Sequence, residues 1–112
     1  MSILPFYRID LPIESLPETL LHIEYFQGKE THRYGISKSS DEYIALTSLL
    51  AAEKNGWRYD LNTYAPKIIF SGNGITINCS GSRIVINYVD KRGVPVQVSK
   101  SDIRKGCPRI PS

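Results

Sequence analysis

From Trp57 onward the chain alternates apolar and polar residues in short runs, and each run ends in a glycine-bearing break. That pattern constrains the fold more than any other feature. A period of two is the strand period, and breaks this short join neighbouring strands only as antiparallel hairpins. Trp57, Tyr59 and Leu61 alternate with Arg58 and Asp60. Four further runs follow, at 67–71, 75–79, 83–89 and 94–98. Gly72-Asn73-Gly74, Ser80-Gly81 and Lys91-Arg92-Gly93 separate them. Along the third, Ile84, Ile86 and Tyr88 share one side while Arg83, Val85 and Asn87 share the other. Such a sheet is expected to bury one face. Pro95 lacks an N–H to donate, which places the last strand at an edge.

The cover for that face lies upstream. Ser39 and Glu42 have capping-box spacing, and Asp41 adds negative charge at the positive helix end. Tyr43, Leu46, Leu49 and Leu50 then fall on one helical stripe, and Asn55-Gly56 is a stop signal. The spacing predicts a helix over about 40–55. Before it, Leu21-His22-Ile23-Glu24-Tyr25 alternates, and Gly28-Lys29 offers glycine at the first centre of a two-residue turn. In that register paired positions sum to 57. Leu21 faces Ile36, Ile23 faces Tyr34, Tyr25 faces His32, and Glu24 sits across from Arg33. Ser15 and Glu18 also have capping-box spacing, so a helix over 16–26 is the alternative. The expected fold is α+β: a mainly antiparallel, hairpin-connected sheet with one main helix on one face. At 112 residues the chain fits one domain. We divide it into a domain over 1–99 and a basic, proline-containing tail over 100–112; residues 3–11, between prolines, are at best an edge strand.

Charge is divided unevenly. Residues 1–56 hold five basic and eight acidic residues, a net −3; residues 57–112 hold nine basic and three acidic, a net +6. Such asymmetry suggests a charged partner. Met1–Arg8 lacks the basic start and apolar run of a secretory signal. No stretch approaches the length of a transmembrane helix, so no membrane association is expected. These features lead us to expect a cytoplasmic protein with Cys79 and Cys107 as reduced thiols. The Asn78-Cys79-Ser80 glycosylation pattern then carries no meaning.

No motif for chemistry emerges. The two histidines, His22 and His32, fall on opposite sheet faces in the expected register: His22 at the surface, His32 at the core margin beside Tyr25. A one-residue bulge would bring them to the same face, where paired histidines serve as acid and base. The cysteines lack metal-ligand spacing, so no metal and no cofactor are expected. Asp41 and Glu42 are absorbed by capping. Ser71-Gly72-Asn73-Gly74 joins strand to strand and has no helix N-terminus to hold a phosphate. The chain is read as non-catalytic, acting by surface contact.

In outline it resembles the small immunity proteins that bacteria make against contact-dependent and other polymorphic toxins. The likeness is one of type: about a hundred residues, α+β, no signal pattern, no catalytic motif. It carries no residue motif, so no site transfers from it. It implies a protein that binds a cognate toxin domain, such as a nuclease, and occludes its active site or access to substrate. Glu14, Glu18, Glu24 and Glu30 are then the expected contacts, with charge complementarity speeding capture. The alternative is a small RNA- or DNA-binding protein using Lys91, Arg92, Arg104, Lys105 and Arg109. Open sheet edges also permit strand addition; the oligomeric state is open.

Overall fold

The computed structural model describes residues 9, 11–53, 55–103 and 106–108. A short 3-10 turn, Ile13–Ser15, precedes β1 (Thr19–Phe26) and β2 (Lys29–Ser37). Helix α1 (Asp41–Ala52) follows, then β3 (Arg58–Tyr59), β4 (Ile68–Gly72), β5 (Ile75–Ser80), β6 (Arg83–Val89) and β7 (Pro95–Lys100). The strands form one seven-stranded sheet in the order β2-β1-β4-β5-β6-β7-β3. Every neighbouring pair is antiparallel. The α+β class expected from the sequence is therefore observed. No helix among the described residues is long and apolar enough to cross a membrane.

The hairpins from β4 to β7 lie where the glycine-bearing breaks place them. Gly74 has φ +77, a conformation that costs glycine nothing and most residues a steric penalty. At Gly72 the reason is proximity: a Cβ there would lie 2.7 Å from Pro17 and 2.8 Å from Leu20. In the β6–β7 turn, the Asp90 carboxylate accepts from the backbone N–H groups of Arg92 and Val94. The last strand is not the sheet's edge, as Pro95 led us to expect: β3 lies outside it, pairing at Val98 and Ser99, and Pro95 is accommodated beyond that short pairing.

The helix begins one residue later than expected. Ser40, not Ser39, is the N-cap; its Oγ accepts from the Tyr43 N–H at 3.2 Å. Glu42 therefore plays no part in a capping box. Tyr43, Leu46, Leu49 and Leu50 face Leu20, Phe70, Ile77, Ile86 and Val98 of the sheet, all part of one buried cluster. Tyr43 also donates to the Pro17 carbonyl, which ties the helix start to the entry of β1.

The far face is not bare, contrary to the one-faced sheet expected. Residues 60–67 cross it. Gln97 Nε2 donates to the carbonyls of Asp60 and Asn62 at 2.8 and 2.7 Å. Asn78 Nδ2 donates to the Ala65 carbonyl, and its Oδ1 accepts from the Lys67 N–H. Asn78 and Val85 are buried as a result. Asp60 accepts from Ser99 Oγ, Tyr64 Oη and its own loop's Asn62 N–H. These bonds, Ser99's foremost, lower its carboxyl from 3.8 to about 2.

The segment read as a tail is anchored. Lys100 ends β7, Ile103 is buried with the core, and its N–H donates to the Ser82 carbonyl at 2.8 Å. Cys107 is disulfide-bonded to Cys79, which corrects the expectation of two reduced thiols. Cys79 faces the core from β5, and the strand order brings the chain end back to it.

Two outcomes follow. A depressed carboxyl stabilises the fold above its unfolded value and loses that contribution as it protonates. Acid titration should therefore show stability falling between about pH 4 and pH 2, and Asp60→Asn should flatten that limb while lowering stability at pH 7. Denaturant melts of Cys107→Ser should show a loss of about 3–4 kcal/mol, as expected for opening a loop of this length. Adding reductant to the wild type should reproduce that loss, whereas a variant as stable as the oxidised parent would contradict it.

Candidate functional site

The β1–β2 hairpin departs from the expected register, and the polar site is the consequence. Its turn uses Gln27 and Gly28, both at positive φ, in place of Gly28 and Lys29. A loop with two positive-φ centres matches the strand twist. Phe26 therefore pairs with Lys29 and Tyr25 with Glu30. A bulge then leaves Thr31 as the extra residue on β2; its hydroxyl donates to the Glu24 carbonyl at 3.3 Å. Beyond it Glu24 pairs with His32, His22 with Tyr34 and Leu20 with Ile36, so paired positions sum to 56.

A one-residue slip exchanges the faces of a strand. Leu20 and His22 point toward the helix, and Leu21 points outward, 39% exposed. His22, expected at the surface, is 1% exposed; His32, expected at the core margin, is exposed. The expected Glu24–Arg33 pairing is absent. Arg33 lies across from Ile23 and pairs instead with Glu30, at 2.8 Å. That bond lowers the Glu30 carboxyl and raises the Arg33 guanidinium.

His22 is held on every side. Its Nδ1 hydrogen-bonds Glu42 Oε2, and its Nε2 lies 3.1 Å from Glu24 Oε2. The ring stacks on Tyr34, centroids 4.4 Å apart, and meets the edge of Phe70 at 5.2 Å. Tyr34 Oη donates to the other Glu42 oxygen at 2.8 Å. Burial, then that hydrogen bond, push the Tyr34 phenol far above its usual range, so it remains a donor. Among the described residues no buried side-chain polar atom lacks a partner.

This chain of groups runs from the first turn of α1, through β1, to an open cleft of about 750 Å³ at the hairpin end. Glu24, Phe26, His32, Ile68, Gly106 and Cys107 are among its walls. The bulge does place both histidines on one face, flanking Glu24. They do not meet, however: His32 Nδ1 lies 3.2 Å from Thr31 Oγ1, and no described hydrogen bond joins it to Glu24 or His22. The arrangement braces the Glu24 carboxylate and leaves the two imidazoles apart.

The four glutamates do not form one patch. Glu14 and Glu18 are exposed near the entry of β1 and make none of the described side-chain bonds. Glu24 lies near the far end of β1 and Glu30 at the start of β2, opposite Tyr25, and both carboxylates are engaged. Of the basic set, Arg92 is exposed but holds Asp90 at 3.0 Å; the Val94 N–H foremost, then the Arg92 side chain, lower that carboxyl. Lys91 is exposed on the same turn, while Arg104, Lys105 and Arg109 lie outside the described residues. Sequence reading missed Glu42, whose capping spacing disguised a buried partner. Its only sequence signal is that the inward helical stripe includes position 42 alongside 46 and 49.

The most exposed feature of this end is β2 itself. Nothing among the described residues pairs with its outer side over nine residues. Compared with known protein families, characterised proteins and solved structures, the chain matches none.

Glu42→Ala removes one partner from a buried pair and leaves the His22 Nδ1 and the Tyr34 hydroxyl without their hydrogen bonds, at a cost of about 3–5 kcal/mol. A double-mutant cycle with His22→Ala should be strongly non-additive; additive losses in urea melts would show the two side chains to be energetically independent.

Proposed function

We propose that this protein is a protein-binding module, an immunity protein that neutralises a cognate toxin domain, and that it engages its partner through the β1–β2 hairpin. The observation that carries this is the uncovered outer edge of β2, nine residues long. An open edge offers a row of backbone donors and acceptors to an incoming strand. Lys29, Glu30, His32 and Arg33 along it discourage indiscriminate pairing, since charge guards an edge against self-assembly. The buried Glu42–His22–Glu24 chain clamps the hairpin to the helix, so the edge is presented without an ordering cost on binding. Exposed Phe26, at the hairpin end, adds an apolar anchor.

Charge supports the same partner class. Glu14 and Glu18, exposed beside the entry of β1, suit a basic toxin surface such as that of a nuclease. They steer the encounter, and the strand edge holds the complex.

The test is co-expression with a toxin domain encoded beside this gene. The protein should restore growth, and hydrogen exchange on the complex should protect the amides of Lys29–Ser37. Glu14→Lys/Glu18→Lys should slow association by about tenfold or more at low salt. Protection confined to α1 or to the β6–β7 turn would remove the edge-strand reading, and failure to restore growth would remove the immunity reading.

A further inference from the structure

On the sheet face opposite the helix, away from the hairpin edge, lies a second cleft of about 370 Å³. The crossing loop supplies Tyr64 and Lys67, β6 supplies Arg83, and Ser80, Ser82 and Ser101 add three hydroxyls. Among the described residues, two cations here form no ion pair with an acid. Arg83 is pinned without being neutralised: its guanidinium carbon sits 5.0 Å over the Tyr64 ring, and its Nε donates to Ser101 Oγ at 3.3 Å. Its two terminal nitrogens make none of the described bonds. Lys67 is fixed through its backbone, its N–H donating to Asn78 Oδ1 and its carbonyl accepting from the Tyr25 N–H at 2.8 Å. Its ammonium also makes none of the described bonds. Asp102 lines the cleft but forms an ion pair with neither. Lys67 also borders the hairpin cleft, where the carboxylate of Glu24 is taken by His22.

Arg83 and Lys67 are both exposed at this cleft. Here the guanidinium fork remains open beside a second cation and a cluster of hydroxyls. A planar fork matches two oxygens of a phosphate, an ammonium supplies a point charge to a third, and serine hydroxyls donate to the rest. A carboxylate ligand would satisfy the fork and leave the lysine unmet. From this geometry we infer a binding site for a small phosphate monoester, held by Arg83 and Lys67 with hydroxyl donation from Ser80, Ser82 and Ser101. The site shares no side chain with the edge of β2, so it stands or falls independently of the protein-binding reading.

The experiment is a titration of the intact, oxidised protein followed by amide NMR shifts. The probes are AMP, ribose 5-phosphate, inorganic phosphate and, as the phosphate-free control, adenosine. Both monoesters should shift Tyr64, the 80–83 turn and Ser101 with millimolar or tighter affinity, inorganic phosphate more weakly, and adenosine not at all. Lys67→Ala/Arg83→Ala should weaken the monoesters by about tenfold or more, with a thermal melt confirming that the variant is folded. Lys91→Ala/Arg92→Ala should leave binding unchanged. Three results would each overturn the proposal: no shift with either monoester at about 10 mM, adenosine binding as well as AMP, or full affinity in the folded Lys67→Ala/Arg83→Ala variant. Inorganic phosphate binding as tightly as the monoesters would overturn the assignment of ligand class.

Discussion

One extra residue, Thr31, sets the arrangement of this molecule's acidic half. Because the bulge shifts β1 against β2 by a single position, His22 points inward and meets Glu42 from the first turn of α1. An isolated buried charge is costly, and a buried pair survives only when its remaining hydrogen-bonding capacity is met. Glu24 and Tyr34 meet it here, one on each side. Helix, hairpin and sheet are thereby locked at one point by polar bonds, while Phe70 closes the apolar wall behind the ring. Moving the register by one residue would expel the imidazole and leave a carboxylate alone under the helix. Polar specificity of this kind selects one hairpin register where hydrophobic pattern alone allows two.

That ambiguity explains why the fold was legible in the sequence and the site was not. Strands β4 to β7 sit where alternation and glycine breaks place them, because each has one face in the core and each turn has a residue suited to positive φ. In β1 the same reasoning fails. Leu20 is buried against the helix and Ile23 is buried on the opposite face, so both parities carry an apolar signal. The visible alternation at 21–25 then selects the wrong side. Glu42 was hidden for another reason: three residues after a serine, at a helix start, a glutamate has an ordinary explanation. Only the tertiary placement of His22 removes it.

Two other features depend on long-range geometry that no local pattern encodes. Cys79 and Cys107 are 28 residues apart, and nothing near either one signals the other. Their meeting follows from β7 running back beside β6 and Ile103 anchoring the turn into the core. Likewise, residues 60–67 have no period, yet they cover the far face because Asp60, Gln97 and Asn78 supply side-chain bonds where a strand would supply backbone ones. A segment held this way has the composition of a loop and does the work of a layer.

The two faces of the sheet consequently differ in kind. On the helix side, the polar groups are turned inward and paired, and what reaches the surface is a strand edge with unsatisfied backbone directionality. On the far side, the covering loop is bonded through its backbone and through Asp60, so its own and its neighbours' cations are left over. Arg83 and Lys67 form an ion pair neither with Asp60, whose oxygens accept from Ser99, Tyr64 and Asn62, nor with Asp102, which lines the cleft beside them.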